Sequence, residues 1–397
     1  MNLQQHWMLN PEIDFLNHGS FGATPKVVLE TQRHFADALE SDPIEFLAPE
    51  RRLLPKLDAV RNRLAGLVNT PPDSLAFVRN ATDGVNAVVR SIVLDPGDEV
   101  VITNHGYNAC NNAVRFAAER QGATVRVAEV PFPLRDAGEV VEAIERVFSN
   151  RTRLLVVDHV TSPTGLVFPI DRIIAACKQR GIRTLVDGAH APGMMEIDLN
   201  ELAPDYYTGN HHKWLCAPKT SGFLYVRTEY HDEVRPTVIS HGANTVWPGR
   251  SKFQSEFDWV GTYDPTPLLA VPAALDFLES LHVGGIIGHM LSNHQLALAA
   301  RAILLDRLAI EAPSPESMIG SMVTIPLPQH IVDSFAACES LQQWLYKEHK
   351  IELPIFRGSR DRWLLRVSLQ AYNTIEQIER LVRVMQTIGI HRRSCSA

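Results

Sequence analysis

The sequence predicts an α/β protein: a mostly parallel sheet flanked by helices, followed by a smaller C-terminal α/β domain. Short strands alternate with helices between residues 75 and 226, and these strands are apolar throughout rather than on one face. A second alternation of strands and helices begins after residue 275. The chain has 397 residues, which exceeds a typical single core, so two domains are expected.

Local patterns place the individual elements. Apolar residues recur at helical spacing through residues 50–68, and residues 26–40 form another amphipathic stretch, so both are expected to be helices. Strands are expected at 75–78, 100–103, 125–130, 154–157, 183–186 and 222–226, with helices between them at 85–92, 109–121, 139–148 and 171–180. In the C-terminal part, strands are expected at 322–325 and 364–368, and helices at 268–278, 286–308, 335–349 and 375–387.

Composition limits the class of protein. Hydrophobic residues make up 45% and charged residues 21%, with a net charge of −7, which favours a soluble enzyme over a nucleic-acid or membrane-surface protein. The five cysteines show no paired spacing, so reduced thiols and a cytoplasmic location are expected. Neither a signal peptide nor a membrane-spanning segment is expected, and the tail at 391–397 is predicted to be frayed.

The stretch at residues 205–215 places Lys213 at the end of a short polar turn, behind His211 and His212. Upstream, residues 185–190 are predicted to form the end of a buried strand that carries Asp187. A lysine near an acid in a cleft is suited to forming an imine with a carbonyl cofactor. For a pyridine aldehyde, Asp187 would keep the ring nitrogen protonated, because a nearby negative charge favours the cation.

Further polar side chains follow the predicted strands. In parallel sheets, ligands bind beyond the carboxyl ends of the strands. The residues concerned are Tyr107, Thr161, Ser162, Asp187 and His190. Tyr107 could stack on a cofactor ring, and the hydroxyl of that ring could bind His190 and either Thr161 or Ser162.

A cofactor phosphate has a predicted site as well. The turn at residues 81–84 opens a helix, and the N-terminus of a helix attracts anions. Asn210 and His212 could add hydrogen-bond donors, whereas His211 has no assigned role. Asn17 and His18, in a glycine-rich turn, could approach a ligand.

Several of these residues also have plainer structural explanations. Tyr107 could be a core tyrosine, Lys213 a surface lysine and Arg366 an ion-pair partner in the small domain. No metal site is expected, because adjacent histidines in a turn rarely point the same way and no helical His-x-x-x-His pair is present.

Taken together, the motifs resemble the fold-type I, class V pyridoxal-phosphate enzymes, and within that class the isopenicillin N epimerase-like branch. This branch is close to the cysteine desulfurases and cysteine lyases. The matching segments are 15–22, 80–82, 158–165, 187–190, 209–214, 261–262, 365–368 and 372–374.

The resemblance implies the pyridoxal-phosphate-dependent transferase fold with a seven-stranded sheet, a Schiff base at Lys213 and an Asp187 partner for the ring nitrogen. It implies a stacking role for Tyr107, a His190 near the ring hydroxyl, and phosphate contacts from Ala81, Thr82, Asn210, His212 and, across a homodimer, Thr262. Arg366 would bind the substrate carboxylate, together with Asn17 and His18 near the substrate. The implied division is an arm at 1–20 beside the small domain and active site, a large cofactor-binding domain at 21–274, and a small domain at 275–397.

The expected activity is at the α-carbon of an amino acid, as an epimerase or racemase. A carbon–sulfur lyase or an aminotransferase is the alternative, and a non-catalytic regulator is disfavoured because no DNA-binding segment is present. Persulfide transfer is not expected, because residues 354–360 contain no cysteine. Tyr263 replaces an arginine that is common in the branch, which weakens the case for the epimerase's own tripeptide substrate.

Overall fold

The structure is a computed structural model that describes residues 3–358 and 362–388, so the predicted frayed tail lies outside the described residues. The strands are β1 Asp14–Phe15, β2 Leu75–Val78, β3 Glu99–Thr103, β4 Thr124–Ala128, β5 Thr152–Asp158, β6 Arg183–Gly188, β7 Tyr206–Asn210, β8 Gly222–Val226, β9 Met322–Pro326, β10 Ile351–Glu352, β11 Ile355–Arg357 and β12 Trp363–Ser368.

The structure has helices within all of the predicted helical segments, together with short helices that were not predicted. They are α1 His18–Phe21, α2 Lys26–Ser41, α3 Pro43–Leu47, α4 Leu54–Leu67, α5 Ala81–Ser91, α6 Asn108–Arg120, α7 Gly138–Glu145, α8 Ile170–Lys178, α9 Leu199–Leu202, α10 Lys252–Asp258, α11 Thr266–Leu269, α12 Val271–Ser280, α13 Gly285–Arg307, α14 Gln329–Val332, α15 Cys338–His349 and α16 Ile375–Thr387.

The main sheet has seven strands in the order β2-β8-β7-β6-β5-β3-β4. Strand β8 is antiparallel to both of its neighbours, and the other pairs are parallel. The predicted fold class is therefore confirmed. The parallel strands end at one edge of the sheet, where the site residues collect.

Both faces of this sheet are buried. Along β5, Leu155 and Val157 belong to one apolar core, whereas Leu154 and Val156 belong to another. Side chains of a strand alternate between faces, so each face has its own core beneath its helices. This arrangement explains why the strands are apolar throughout rather than alternating.

A third apolar core lies beneath the small sheet β11-β12-β9 and includes residues of α13, α15 and α16. The N-terminal arm joins this region, because β1 pairs in parallel with β10 and Leu16 is part of the third core. The division into domains near residue 275 stays a prediction.

One local prediction was wrong. Residues 206–210 form β7, an interior strand of the main sheet, rather than the start of a polar turn. The pattern is misleading because the polar side chains are satisfied inside the fold. The hydroxyl of Thr208 donates to the carbonyl of Phe223 at 2.8 Å, and the hydroxyl of Tyr207 lies 2.9 Å from His159 Nδ1.

In the described part of the chain, no single helix has the length and apolar character needed to cross a bilayer. The pair formed by residues 266–280 and 285–307 meets that criterion only when taken together, and it is bent by 69°.

Candidate active site

Lys213 lies in the turn after β7, with its Nζ atom 3.1 Å from Nε2 of His190. Burial lowers the pKa of Lys213 from 10.5 to about 8, against an opposing effect of the nearby Asp187 charge. At pH 7 a larger fraction of Lys213 is therefore neutral amine than of an ordinary lysine. The neutral amine is the form that attacks a carbonyl group, so this lysine is chemically prepared for imine formation.

The N-terminal arm supports the backbone of this turn. His18 is fully buried, and its Nε2–H donates to the carbonyl of Lys213 at 2.9 Å, while its Nδ1 accepts from the hydroxyl of Tyr372 at 2.8 Å. Gly22 has φ +71°, and a Cβ there would lie 1.9 Å from the carbonyl oxygen of His212. The close passage of the arm over the turn therefore requires glycine.

Asp187 is buried at the end of β6, and both of its carboxyl oxygens accept hydrogen bonds. The thiol of Cys110 donates to Oδ2 at 3.1 Å, and the backbone N–H of Ala189 donates to Oδ1 at 3.0 Å. Burial raises the pKa of Asp187, whereas these donors and the positive charge of Lys213 favour the carboxylate. The cleft thus contains an acid and a lysine that influence each other electrostatically.

The tautomer of His190 follows from its neighbours. The indole N–H of Trp214 points at Nδ1 of His190 at 3.3 Å. Since an indole nitrogen can only donate, Nδ1 carries no proton, and the proton of the neutral ring is on Nε2, facing Lys213. Burial, together with the charge of Lys213, holds the pKa of His190 well below its ordinary value, which keeps the ring neutral.

We expect Trp214→Phe to remove the preference for this tautomer, because Nδ1 of His190 then loses the hydrogen bond donated by the indole N–H. The proton should redistribute between the two ring nitrogens, and kcat should fall about tenfold, the size of one hydrogen bond. Nitrogen-15 NMR of the His190 ring measures the tautomer directly. Trp247→Phe is the matched control, because Trp247 is also a buried core tryptophan. An unchanged His190 spectrum in Trp214→Phe would contradict the assignment.

The predicted phosphate residues meet at the start of α5. Asn80 caps this helix by accepting the N–H of Asp83 at 3.0 Å. The N–H of Ala81 already donates to Oδ1 of Asn210 at 2.8 Å, which joins the helix to the end of β7. Thr82 occupies the first turn, where backbone amides lack intrahelical partners, so its N–H is suited to an anion.

His212 completes this end of the cleft, with Nδ1 3.4 Å from the carbonyl of Ser221. His211, beside it, is fully buried and stacks on Phe223, with ring centroids 5.7 Å apart and an interplanar angle of 15°. The two histidines therefore lie in different environments, and His211 serves core packing.

Arg366 is 1% exposed, and no described acidic side chain forms an ion pair with it. Its guanidinium donates to the backbone carbonyl of Ser162 and to the hydroxyl of Ser20 at 3.2 Å, and it lies over the ring of Phe356. Its Nε atom is buried and has no hydrogen-bond partner among the described residues. Burial lowers the pKa of Arg366 to about 10, because no anion in the described part of the chain compensates the buried cation. The arrangement is suited to a carboxylate supplied from outside.

Other predicted residues are hydrogen-bonded within the chain. The hydroxyl of Thr161 closes its own turn, 2.7 Å from the hydroxyl of Thr164 and 2.9 Å from the N–H of Leu166. Both polar side-chain atoms of Asn17 are engaged, with Nδ2 donating to Glu352 at 2.9 Å and Oδ1 accepting from Ser20 at 2.6 Å. In this structure Asn17 and His18 hold the arm in place, and their substrate roles stay predictions.

Two predicted residues face solvent in the single chain. Tyr107 is 45% exposed at the start of α6, so it is not a core tyrosine. Thr262 is exposed in the loop that follows α10. Their roles against a cofactor ring and a neighbouring phosphate also stay predictions.

Sequence reasoning missed Cys110, Ser20, Trp214 and Asp158. The first three contact Asp187, Arg366 and His190, respectively. Asp158 ends β5 directly beside Asp187. The one available signal was position, because Asp158 follows a predicted strand just as the recognised residues do.

Comparisons with known proteins agree with this geometry. The chain matches the family model described as aminotransferase class-V over residues 17–381. It is 34% identical to an isopenicillin N epimerase from Amycolatopsis lactamdurans, with 98% of each chain covered. It is 30% identical to a probable chloroplastic L-cysteine desulfhydrase from Arabidopsis thaliana, with 94% of this chain and 82% of that protein covered. The fold is similar to that of the cystine C–S lyase C-DES in complex with cysteine persulfide, with TM-score 0.82, 22% identity, and 96% and 98% of the two chains covered.

The fold and the lysine–acid cleft define a pyridoxal-phosphate-dependent enzyme. With the family model covering residues 17–381, the chain belongs to the class V aminotransferase family. The resemblance seen in the sequence is thereby confirmed, and so are its fold and its cofactor, pyridoxal phosphate.

The residues of the cleft fit this cofactor. Lys213 has a lowered pKa, Asp187 is a buried acid beside it, and the first turn of α5 offers amides to a phosphate. On these grounds Lys213, Asp187, His190, Thr82 and His212 would hold pyridoxal phosphate. Their individual roles stay predictions.

Proposed function

We propose that this enzyme acts at the α-carbon of an amino acid, as an epimerase or racemase or as a carbon–sulfur lyase. The proposal depends mainly on one observation: a lysine of lowered pKa lies within electrostatic range of a buried arginine that forms no ion pair with any acid among the described residues. An amino acid supplies what both side chains lack, a carboxylate for Arg366 and an α-proton for Lys213.

The side chains would divide the work as follows. Arg366 binds the substrate carboxylate, which orients the α-carbon, and Lys213 removes the α-proton as general base. The Nε2–H of His190 lies beside the Lys213 amine and can donate a hydrogen bond there. Pyridoxal phosphate, when bound, supplies an electron sink for the resulting carbanion. Asp187 would maintain this electron sink by favouring a protonated ring nitrogen.

The relatives support the two outcomes equally, because their names include both isopenicillin N epimerase and L-cysteine desulfhydrase. Both outcomes can start from loss of the α-proton. Return of a proton to the opposite face gives epimerisation. Expulsion of a sulfur substituent from the β-carbon gives β-elimination, the reaction of a carbon–sulfur lyase. Transamination, with release of a keto acid, is the third outcome.

The test is a panel of amino acids incubated with the cofactor-loaded enzyme in heavy water. Deuterium at the α-carbon together with inverted product identifies an epimerase. Sulfide with pyruvate identifies a lyase, and a keto acid with a pyridoxamine cofactor identifies an aminotransferase. If no amino acid exchanges its α-proton, the proposal fails.

Persulfide transfer through a surface cysteine is not part of this proposal. The cysteines among the described residues, Cys110, Cys177, Cys216 and Cys338, are all buried. Cys338 packs in the core of the small sheet. A thiol that passes sulfur to another protein needs to be accessible, so these four are unsuited to it.

We also propose a homodimer in which Thr262 reaches the phosphate of the neighbouring subunit. The support is the exposure of Thr262 and of the apolar residues Val238, Ile239 and Val246 in the preceding loop. An exposed apolar patch of this kind is typical of an interface. Sedimentation equilibrium tests it, and a monomeric active enzyme would exclude it.

A further inference from the structure

Two acids lie side by side at the carboxyl edge of the main sheet. Asp158 ends β5, Asp187 lies on β6, and the two residues are direct register partners on these parallel strands. Register partners present their side chains on the same face of a sheet, and neighbouring strands are about 4.8 Å apart. Both residues are buried, with 5% and 2% exposure. The cofactor site therefore contains two adjacent carboxyl groups, of which the chemistry above uses only Asp187.

Two buried carboxyl groups on adjacent register partners repel each other when both are ionised, and this repulsion favours a state in which one of them holds a proton. The donors decide which one. Asp187 accepts from the Cys110 thiol and from the N–H of Ala189, whereas Asp158 accepts from the N–H of Tyr107. Each donor stabilises a carboxylate, so the better-supplied Asp187 is the anion.

The surrounding charges agree with a single negative charge on the pair. Among the described residues, the titratable groups that face it are Lys213, from the turn after β7, Tyr207, on β7, and the thiol of Cys110, from the first turn of α6. The positive charge of Lys213 lies near the pair, and one negative charge on the pair balances it. Burial and the charge of Asp187 raise the pKa of Asp158 well above its usual range.

We propose that Asp158 is a positioning residue of the cofactor site that stays protonated beside ionised Asp187. As a neutral acid, it holds the loop of Tyr107 through the backbone N–H and leaves Asp187 as the one anion available to the cofactor ring. This inference rests on the proposed assignment of Asp187 to the ring nitrogen, but the location of the proton can be tested without the cofactor.

The first test uses cofactor-free protein and the variants Asp158→Asn and Asp187→Asn. A carboxyl that keeps its proton in the folded state, while the unfolded chain loses it above about pH 4, destabilises the fold as pH rises. Asp158→Asn removes this effect, so its Tm should exceed that of wild type increasingly between pH 5 and pH 8. In Asp187→Asn, burial still raises the pKa of Asp158 but the charge of Asp187 no longer contributes, so the Tm of this variant should still fall over that range, less steeply than that of wild type. The reverse pattern would place the proton on Asp187 and overturn the proposal.

The second test measures the dissociation constant of pyridoxal phosphate from its absorbance and from protein fluorescence. Asparagine resembles a protonated acid, so Asp158→Asn should bind within about threefold of wild type, whereas Asp187→Asn should bind at least about 30-fold more weakly. Asp158→Leu keeps the branched shape of the side chain but accepts no hydrogen bond from the Tyr107 loop, and its affinity for pyridoxal phosphate should fall about tenfold. Equal losses in Asp158→Asn and Asp187→Asn, or no loss in Asp158→Leu, would each contradict the proposed role.

The proposed function and the proposed role of Asp158 can be refuted independently. If wild-type protein takes up no pyridoxal phosphate, the proposed function fails, while the Tm profiles still report which acid holds the proton. If wild-type protein binds the cofactor but the Asp158→Asn profile runs parallel to that of wild type, the proposed function survives and the role of Asp158 is refuted.

Discussion

Replacing Lys213 by alanine is expected to abolish the yellow absorbance that purified, cofactor-loaded protein owes to its lysine-linked cofactor. It should also lower turnover of any amino-acid substrate by at least about 10³-fold, because both the covalent link and the general base are lost. The prediction is motivated by the buried Nζ atom, which lies 3.1 Å from His190 and has a pKa lowered to about 8.

Lys219→Ala is the matched control. Lys219 lies six residues further on, its pKa is also lowered by burial, and its Nζ is 3.4 Å from the hydroxyl of Thr24. This variant should keep the absorbance band and the turnover. If Lys213→Ala retains the band while Lys219→Ala loses it, the cofactor is linked to a different lysine and the site has been misassigned.

Arg366→Leu is expected to raise KM for an amino-acid substrate by about 10² to 10³-fold, with a smaller effect on kcat. Loss of one partner from a buried, hydrogen-bonded charge pair costs about 2–5 kcal/mol, and here the second partner is the substrate carboxylate. Steady-state kinetics on the substrate found in the amino-acid panel measures this effect. Arg366→Lys should keep part of the affinity, because it retains the charge but not the planar fork of donors.

The free energy of unfolding distinguishes a substrate-binding role of Arg366 from a structural role. Arg61 is also buried, but it binds both carboxylate oxygens of Asp258, at 2.6 and 2.8 Å. Arg61→Leu should therefore cost about 3 kcal/mol of unfolding free energy, because it leaves a buried carboxylate with less compensation. Arg366→Leu should stay within about 1 kcal/mol of wild type, because no carboxylate among the described residues loses its partner. Chemical denaturation of the two variants measures the contrast, and equal destabilisation would mean that Arg366 is structural.

Much of the main sheet could be predicted because its strands lie between two cores. Leu154 and Val157 face different cores, so β5 is apolar at every position and can be recognised from the sequence. Strand β7 escaped prediction for the opposite reason. Its polar side chains are satisfied by groups distant in sequence, such as the carbonyl of Phe223 for Thr208. No local pattern reports such partners.

The candidate site divides in the same way. Lys213, Asp187 and His190 lie in short segments whose residue types and order are specific to their chemistry, so the motifs predicted them. Cys110 and Ser20 have no such motif, because a single cysteine or serine is informative only through what it contacts. Their contacts with Asp187 and Arg366 span 77 and 346 residues of sequence, respectively.

The sequence by itself determined the fold class, the family and the cofactor, because repeated strand and helix patterns and short motifs are local properties of a chain. The tertiary structure decided which groups are charged and which already form hydrogen bonds within the protein. It buried Arg366 away from any described acid, placed Asp158 beside Asp187 and turned both nitrogens of His18 to supporting bonds. Ionisation and hydrogen bonding depend on neighbours in space, and only folding brings those neighbours together.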